Sequence, residues 1–199
     1  MTALFSESQR LQMDGADVTY HPCPDLGQPA DQLFSALLSD IPWEQRSIRI
    51  QGRDIPQPRL VSWHGDVPYT YSGLRLIPNP WTPVLQIIRR QVEALAGCRF
   101  NSCLLNQYIN ERSSIGMHAD DEPELGPRPT IASVSLGAER IFDMRRKDKS
   151  GRPVHINLEH GSVLIMAGDT QRNWLHGIAK TTVCTGPRIN LTFRATKAR

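Results

Sequence analysis

The sequence predicts a mostly β fold with flanking helices, in which a helical and loop-rich front half supports a β barrel or jelly roll. From Arg99 onward, short apolar stretches rich in β-branched residues alternate with turn-forming stretches, at the spacing expected of a sandwich or barrel. Helical periodicity is confined to the part of the chain before Arg99. A length of 199 residues suits one domain that buries its own core without crosslinks.

Two helices are predicted in the front half. The first covers residues 30–38, where the apolar side chains fall on one helical stripe. The second follows Thr82, because Pro83 suits a first helical turn and Gly97 suits a helix end. Its apolar residues recur at helical spacing, which predicts one buried face.

The remaining chain is predicted to form loops and strands. The first 15 or so residues are polar and are expected to be mobile. Residues 47–72 are rich in Gly, Pro, β-branched and aromatic residues, and we expect hairpins and loops there rather than core. Strands are predicted at residues 99–109, 130–137, 140–145, 154–158, 161–168 and 188–194.

Composition restricts the class of protein. The formal charge of +3 and the pI of about 8.8 permit a nucleic-acid partner without requiring one. The sequence has neither a secretory signal at its start nor an apolar run near the roughly 20 residues that cross a bilayer. The four cysteines form no C-x-x-C pair, so we expect buried free thiols in a soluble protein of a reducing compartment.

The stretch S-I-G-M-H-A-D-D-E-P-E at residues 114–124 combines one histidine with four carboxylates. His118, Asp120 and Glu122 are spaced by two, so an extended backbone would project all three from one face. Such a face could hold a cation. An acidic run on a loop can equally be solvated, and the spacing alone leaves both interpretations open.

Two predicted strands carry their polar residues on one face. In R-I-N-L-T-F-R the shared face holds Arg188, Asn190, Thr192 and Arg194, and in L-N-Q-Y it holds Asn106 and Tyr108. A polar strand face often lies in water. It could also line a pocket for an anion, since arginine binds a carboxylate through two parallel hydrogen bonds.

A second imidazole would complete a metal site with His118 and Asp120. Two histidines and one carboxylate on one face bind iron(II) and leave positions open for substrate and oxygen. The downstream candidates are His155, His160 and His176. His176 is favoured, because W-L-H-G follows a buried-looking strand and precedes the strand that carries the two arginines.

Three motifs in this order, H-A-D, W-L-H and R-I-N-L-T-F-R, resemble the iron(II)- and 2-oxoglutarate-dependent dioxygenases of the AlkB type, and most closely their DNA-repair branch. The ordered match covers about residues 55–194 and includes Y-T-Y-S-G-L, P-W-T-P-V-L, L-N-Q-Y, I-A-S-V-S-L-G and H-G-S-V-L-I-M. The resemblance implies a double-stranded β-helix (jelly-roll) core at 99–199. It also implies an N-terminal extension and nucleotide-recognition lid at 1–98, packed on that core as a single folded unit.

The resemblance implies roles for particular residues. Iron(II) would be bound by His118, Asp120 and His176. The residues around 2-oxoglutarate would be Asn106, Tyr108, Arg188, Asn190, Thr192 and Arg194. Within that set, Arg188 with help from Tyr108 would pair with the distal carboxylate. Asn106 and Arg194 would lie near the end that chelates the metal.

The implied reaction is oxidative demethylation of N-alkylated bases such as 1-methyladenine and 3-methylcytosine. It uses O2 and 2-oxoglutarate and releases formaldehyde, succinate and CO2. The implied substrate contacts are Tyr69, Tyr71, Ser72, Glu122, Gln51 and Arg59. The implied contacts to the DNA backbone are Arg145, Arg146, Lys147, Lys149 and Arg152. The implied partner is single- or double-stranded DNA, for a monomer in the cytoplasm, nucleoid or nucleus that binds no membrane.

Several alternatives stay open at this level. The tyrosines could pack within an ordinary hairpin, and the basic run could be a solvated hairpin tip. Gln51 stands where duplex-acting relatives can have an aromatic residue, which leaves the preference for single or double strands undecided. The same chemistry could act on RNA or on methyl-lysine in protein. A non-catalytic β-barrel that binds nucleic acid and has lost its metal is the remaining alternative.

Overall fold

In this computed structural model the described residues are 7–50, 52–66, 69–71 and 74–197, and positions 48, 50, 69–71 and 74–76 are described by their backbone alone. The strands are β1 (Gln9–Leu11), β2 (Asp17–His21), β3 (Ser47–Ile50), β4 (Arg53–Pro56), β5 (Leu60–Gly65), β6 (Tyr69–Tyr71), β7 (Leu74–Leu76), β8 (Ser102–Tyr108), β9 (Ile115–His118), β10 (Ile131–Gly137), β11 (Arg140–Arg146), β12 (Val154–Leu158), β13 (Val163–Ala167), β14 (Trp174–Ile178) and β15 (Arg188–Arg194). The α-helices are α1 (Ala30–Asp40), α2 (Pro83–Ala96) and α3 (Thr170–Asn173).

The strands form two main antiparallel sheets. The larger has seven strands in the order β1-β2-β13-β10-β15-β8-β5, and the smaller has four in the order β12-β11-β14-β9. The pairs β3-β4 and β6-β7 form separate hairpins. The order of the strands in the sheets departs repeatedly from their order in the chain, as in a jelly roll. The predicted mostly β fold of jelly-roll type is therefore confirmed.

Helices α1 and α2 cover one face of the larger sheet. Their buried side chains, among them Leu33, Leu37 and Ile88, pack in one cluster with Leu191 and Phe193 of β15. Burial of each such side chain stabilises the fold by about 1.5–3 kcal/mol. The helices thereby shield one face of β15 and leave its other face to the space between the sheets.

The ends of α2 agree with the sequence prediction. Thr82 caps the helix, since its hydroxyl oxygen accepts a hydrogen bond from the backbone N–H of Leu85 at 3.3 Å. Pro83 occupies the first turn, and Gly97 ends the helix with a left-handed φ of 65°. Both predicted helices are thus present, and α1 continues two residues beyond its predicted end.

A second apolar cluster fills the space between the two sheets. It includes Phe142, Met144 and Trp174 of the smaller sheet, packed with Tyr108 and Met166 of the larger one. The polar face of β15 points toward this interior, and all seven residues of that strand are buried. Polar side chains on a strand that is buried on both faces must have partners inside the protein.

Three predictions from the sequence need correction. Residues 47–72 are not all outside the core, because β5 pairs with β8 and buries Val61 and Trp63. The first 15 residues include β1, which pairs with β2 at the edge of the larger sheet. Free thiols are not uniformly buried either, since Cys23 and Cys184 are exposed.

The larger sheet joins strands from both halves of the chain. β2 and β5 come from before residue 98, and β8, β10, β13 and β15 come from after it. The boundary between 98 and 99 stays a prediction. None of the helices in the described part of the chain has the length and apolarity that crossing a membrane requires.

Candidate active site

A cavity of about 340 Å³ lies between the two sheets. Its wall includes the polar faces of β8 and β15, together with His118, Asp120 and His176. The predicted metal ligands and the predicted anion-binding residues therefore face one shared space. The smaller sheet contributes one side of that space and the larger sheet the other.

Strand pairing brings the two histidines together. His118 at the end of β9 is the register partner of His176 in β14, and their ring centroids lie 4.4 Å apart. Asp120 follows β9 by two residues, and its Oδ2 lies 4.0 Å from Nε2 of His176. One potential ligand atom from each of the three residues lies within 4.8 Å of the others. The structure thus selects His176 over His155 and His160.

Both imidazoles can present a lone pair to a metal ion. Nδ1 of His118 lies 2.8 Å from the carbonyl oxygen of Gly116. Because that oxygen only accepts, Nδ1 carries the proton and Nε2 is available as a ligand. Burial lowers the pKa of His176 to about 3, so its ring is neutral at physiological pH.

The carboxylate of Asp120 is ionised although it is buried. Burial by itself would raise its pKa, but the guanidinium of Arg194 lies 2.7 Å from Oδ1 and the net effect is a lowered pKa. The other oxygen, Oδ2, is buried and makes no hydrogen bond with any described residue. An ionised oxygen without a partner beside two imidazoles is the donor set that a divalent transition metal such as iron(II) prefers.

Arg188 is a buried cation with unused donors. It is 1% exposed, and its Nη2 donates to the hydroxyl of Ser135 at 2.9 Å. Its Nε and Nη1 are buried and find no hydrogen-bond acceptor among the described residues. Burial lowers the pKa of Arg188, while Tyr108, whose ring centroid lies 5.0 Å from the guanidinium carbon, opposes that shift. Because a buried cation needs an anionic partner, these donors fit a carboxylate ligand.

Sheet register explains how the polar residues meet. Arg188 pairs with Tyr108, and Asn190 pairs with Asn106, across the β15-β8 ladder. The hydroxyl of Thr192 donates to Oδ1 of Asn190 at 3.0 Å. The polar faces of β8 and β15 therefore line the cavity rather than facing water.

The sequence reasoning missed two serines on the neighbouring strand. Ser133 accepts a hydrogen bond from Nδ2 of Asn190 at 2.8 Å, and Ser135 accepts from Arg188. Both lie on β10, opposite Thr192 and Asn190 of β15. The alternation in I-A-S-V-S-L, with a serine at every second residue, is the signal that could have revealed them.

The sequence analysis also missed a glutamine that forms a hydrogen bond with the backbone of Asp120, one of the three predicted metal ligands. Gln171 in α3 is 1% exposed, and its Oε1 accepts a hydrogen bond from the backbone N–H of Asp120 at 2.9 Å. Nothing in T-Q-R-N distinguishes this residue, because the contact joins segments 51 residues apart. Only the folded chain reveals it.

Two predicted substrate contacts lie at the cavity. Glu122 lines it, and its Oε2 is buried without a hydrogen-bond partner among the described residues. Arg59 also lines it and donates from Nε to Oδ1 of Asn106 at 2.7 Å. Asp121 alternates outward, and its exposed carboxylate lies 2.8 Å from Nζ of Lys147.

The predicted lid is described only in part. Tyr69 and Tyr71 belong to β6, whose backbone pairs with β7. Gln51 and Ser72 lie outside the described residues. This pairing of β6 with β7 is compatible with the hairpins expected over residues 47–72.

The predicted DNA-contacting residues lie on the β11-β12 hairpin, but their environments differ. Arg145, Lys149 and Arg152 are exposed. Arg146 is committed to carboxylates of its own chain, with Nη1 2.8 Å from Asp14 and Nη2 2.8 Å from Asp148. Lys147 forms the ion pair with Asp121.

Comparison with known proteins identifies the family. The family model of the 2OG-Fe(II) oxygenase superfamily matches residues 26–194. Human alpha-ketoglutarate-dependent dioxygenase alkB homolog 3 is 45% identical over 174 residues, which cover 83% of this chain and 61% of that protein. The cattle protein of the same name is 47% identical over 174 residues, with the same coverage. Human DNA oxidative demethylase ALKBH2 is 37% identical over 198 residues, covering 94% of this chain and 76% of that protein.

Solved structures share the fold. The structure of OsALKBH1 superposes with a TM-score of 0.65 at 19% identity, covering 95% of this chain and 100% of that one. An oxidoreductase of the 2OG-Fe(II) oxygenase family from Burkholderia pseudomallei gives a TM-score of 0.59 at 17% identity, covering 91% and 87%. The chain spans 61% of the length of alkB homolog 3 from cattle and human. The matched residues and the identities place this chain in the 2OG-Fe(II) oxygenase superfamily and, within it, among the AlkB homologues.

Proposed function

We propose that this protein is an iron(II)- and 2-oxoglutarate-dependent dioxygenase that removes methyl groups from N-alkylated bases in DNA. Its substrates would include 1-methyladenine and 3-methylcytosine. The products would be the restored base, formaldehyde, succinate and CO2. This reaction amounts to direct-reversal repair. The proposed enzyme is a monomer, and its partner is damaged DNA.

One observation carries the proposal. A three-residue metal-binding group and a buried guanidinium with unused donors face the same cavity. A cosubstrate that chelates a metal through one end and carries a carboxylate at the other needs this pairing. 2-Oxoglutarate has that chemistry. A binding module without catalysis would have no use for it, and the cost of burying both groups would be unexplained.

The residues of the chain bind and orient the reactants. Iron(II), when bound, supplies the oxygen-activating chemistry that hydroxylates the N-methyl carbon. His118, Asp120 and His176 would hold the metal. Arg188 would bind the distal carboxylate of 2-oxoglutarate, with Tyr108 beside it. Burial between two sheets would keep bulk water from the reacting atoms.

Other residues of the polar faces would shape the cosubstrate niche. Asn190 and Thr192 are joined by a hydrogen bond and would pack along 2-oxoglutarate. Asn106 would lie near the end that chelates the metal. Arg194 contacts a metal ligand directly, which supports its predicted location at that same end.

Two arguments support a nucleobase as the substrate: the positive charge of the methylated base and the names of the relatives. 1-Methyladenine and 3-methylcytosine are cationic near neutral pH, so a carboxylate in the cavity favours them over undamaged bases. Glu122 would accept a hydrogen bond from the exocyclic amine through its unpartnered Oε2. The name DNA oxidative demethylase, which the ALKBH2 relatives carry, supports DNA as the substrate.

The lid and the basic hairpin would bind the rest of the nucleic acid. Tyr69, Tyr71 and Ser72 would recognise a flipped base, with Gln51 and Arg59 near it. The exposed basic side chains of the β11-β12 hairpin would contact phosphates, with Lys149 and Arg152 among them. The mild positive charge of the chain is compatible with this partner.

The direct test is product formation from defined oligonucleotides. Single- and double-stranded DNA carrying 1-methyladenine or 3-methylcytosine, and matched RNA, would be incubated with iron(II) and 2-oxoglutarate. We expect formaldehyde and succinate in equal amounts from DNA, and loss of both in His118→Ala and Asp120→Ala. Turnover of RNA alone would redirect the substrate assignment. Turnover by either variant at the wild-type rate would remove the metal assignment.

A further inference from the structure

Asp120 is held within the protein at two points. Its Oδ1 accepts from Arg194 at 2.7 Å, and its backbone N–H donates to Oε1 of Gln171 at 2.9 Å. The first contact fixes the side chain and the second fixes the backbone. With both fixed, the remaining oxygen Oδ2 is left facing Nε2 of His176.

The second contact replaces a missing strand partner. β9 ends at His118, so Asp120 lies beyond the ladder that pairs β9 with β14. The residue is 3% exposed, and a buried backbone N–H without a partner is costly. Gln171 supplies the acceptor that the ladder would otherwise provide. It also fixes the peptide plane from which the ligand side chain projects.

Gln171 is linked to the second histidine ligand through the chain. It lies in α3, which leads directly into β14 and His176. The helix itself is anchored by Thr170, whose hydroxyl donates to the carbonyl of Ala167 at 2.6 Å and accepts from the N–H of Asp17 at 2.9 Å. The side chain of Gln171 makes neither of these anchoring contacts. Its amide nitrogen makes only a weak contact, 3.6 Å from Sδ of Met166.

We propose that Gln171 is a positioning residue for the metal site, which it serves by holding the backbone of Asp120 so that the carboxylate meets the metal together with His118 and His176. The inference rests on the proposed function, because it takes these three residues as the ligands. It assigns a role to a residue outside the metal and cosubstrate contacts. Loss of this role should change the affinity for the metal and the coordination geometry of the bound metal, in the absence of substrate.

The test measures metal binding without turnover. Purified metal-free protein would be titrated with Mn(II), and free Mn(II) would be followed by electron paramagnetic resonance. Gln171→Met keeps the length of the side chain but removes the acceptor oxygen, and Gln171→Asn stays polar but is one methylene too short to reach Asp120. Arg172→Met is the matched control, since Arg172 is the exposed next residue of the same helix. Thermal unfolding of each metal-free variant reports folding separately.

We expect about tenfold weaker Mn(II) binding in both Gln171 variants, which is the lower end of the effect of changing a partner of a metal ligand. Arg172→Met should bind as wild type does. Gln171→Glu retains an acceptor oxygen, and with Co(II) it should restore the wild-type visible absorption spectrum that the other two variants lose. A merely structural role would lower the unfolding temperature and leave the spectrum of the bound metal unchanged.

The outcomes separate this inference from the proposed function. If Gln171→Asn binds Mn(II) as tightly as wild type, or if Arg172→Met weakens binding equally, the positioning role is wrong while the site stands. If Asp120→Ala binds Mn(II) like wild type, the metal site itself is wrong. The proposed function then fails together with the inference.

Discussion

Arg194 and Asp120 form a buried ion pair that joins the two sheets, with Nη2 of the guanidinium 2.7 Å from Oδ1 of the carboxylate. Arg194 belongs to the same strand as Arg188, and Asp120 follows the strand that ends at His118. The ion pair therefore connects the strand that lines the predicted 2-oxoglutarate site to the three predicted metal ligands. It also distinguishes the two arginines of R-x-N-x-T-x-R, because of these two only Arg194 forms a hydrogen bond with a predicted metal ligand.

Replacing Arg194 should make metal binding depend on pH. In Arg194→Met the effect of burial on Asp120 is no longer opposed by the guanidinium, so its pKa rises. Metal binding needs the ionised carboxylate, and affinity should fall by up to about tenfold for each pH unit below the raised pKa. Mn(II) titrations from pH 8 to pH 6 would measure this. A constant ratio between variant and wild type over that range would contradict the role of Arg194.

Replacing Arg188 should weaken the binding of 2-oxoglutarate and leave the binding of the metal unchanged. Arg188→Met removes a buried cation that makes no contact with the three ligands, so Mn(II) affinity should stay at the wild-type level. Loss of charge-assisted hydrogen bonds worth about 1.5–3 kcal/mol should weaken 2-oxoglutarate binding by roughly 10- to 150-fold. Calorimetric titration of 2-oxoglutarate into the Mn(II)-loaded protein measures the effect. Unchanged 2-oxoglutarate affinity would show that the distal carboxylate lies elsewhere.

Glu122 should govern the choice of base. Glu122→Gln keeps the shape of the side chain and removes its charge, so a cationic lesion loses its electrostatic preference over a neutral base. Turnover of 3-methylcytosine should fall by about tenfold or more, as expected for one charged hydrogen bond. Succinate formed without DNA should be unchanged, since Glu122 is not among the three proposed metal ligands. An equal fall in both rates would indicate that Glu122 supports the metal instead.

The sequence predicted which residues share a polar strand face, but not whether that face is buried. Period-two alternation in R-I-N-L-T-F-R and L-N-Q-Y identified the faces that line the cavity, because strand geometry puts alternate residues on one side. Whether those faces meet water or protein depends on α1 and α2, which cover the opposite face of β15. That choice is made by tertiary packing, which no single strand encodes.

The elements that carry the ligands were harder to predict. β9 and β14 are short, and β9 includes Gly116 and the exposed Met117, so neither strand has a strong apolar alternation. Their pairing joins residues far apart in the chain and brings His118 opposite His176. The contact of Gln171 with Asp120 depends on the same long-range geometry. A local pattern gives no signal for such contacts.

The basic hairpin should contribute to DNA binding unequally along its length. Lys149→Gln should lower the slope of log affinity against log salt by about 0.9 for duplex or 0.7 for single-stranded DNA, if it contacts one phosphate. Lys147→Gln should change the slope less, because Lys147 is already paired with Asp121. The double variant should resemble Lys149→Gln. Fluorescence anisotropy over a range of salt concentrations measures these slopes. An unchanged slope in the double variant would show that these two lysines do not contact DNA phosphates.

Glu93 connects α2 to the entry of β8, the strand that carries Asn106 and Tyr108. Its Oε1 accepts from the backbone N–H of Phe100 at 2.9 Å, and its Oε2 accepts from Arg99 at 2.7 Å. Burial alone would raise the pKa of Glu93, but these hydrogen bonds and Arg89 lower it below its ordinary value. A lowered pKa in the folded state stabilises the protein above the unfolded-state pKa, and this contribution disappears as the pH falls through the folded-state pKa.

Glu93→Gln should therefore destabilise the protein in a pH-dependent way. At pH 7 the loss of charged hydrogen bonds should cost about 1–3 kcal/mol in the free energy of unfolding. The difference from wild type should shrink below about pH 4, where the carboxyl group becomes protonated in the unfolded chain first and then in the folded one. Urea unfolding of the metal-free proteins at pH 7 and at pH 3.5 measures it. A difference that stays constant or grows toward acid pH would mean that shape, rather than charge, is what Glu93 contributes at this junction.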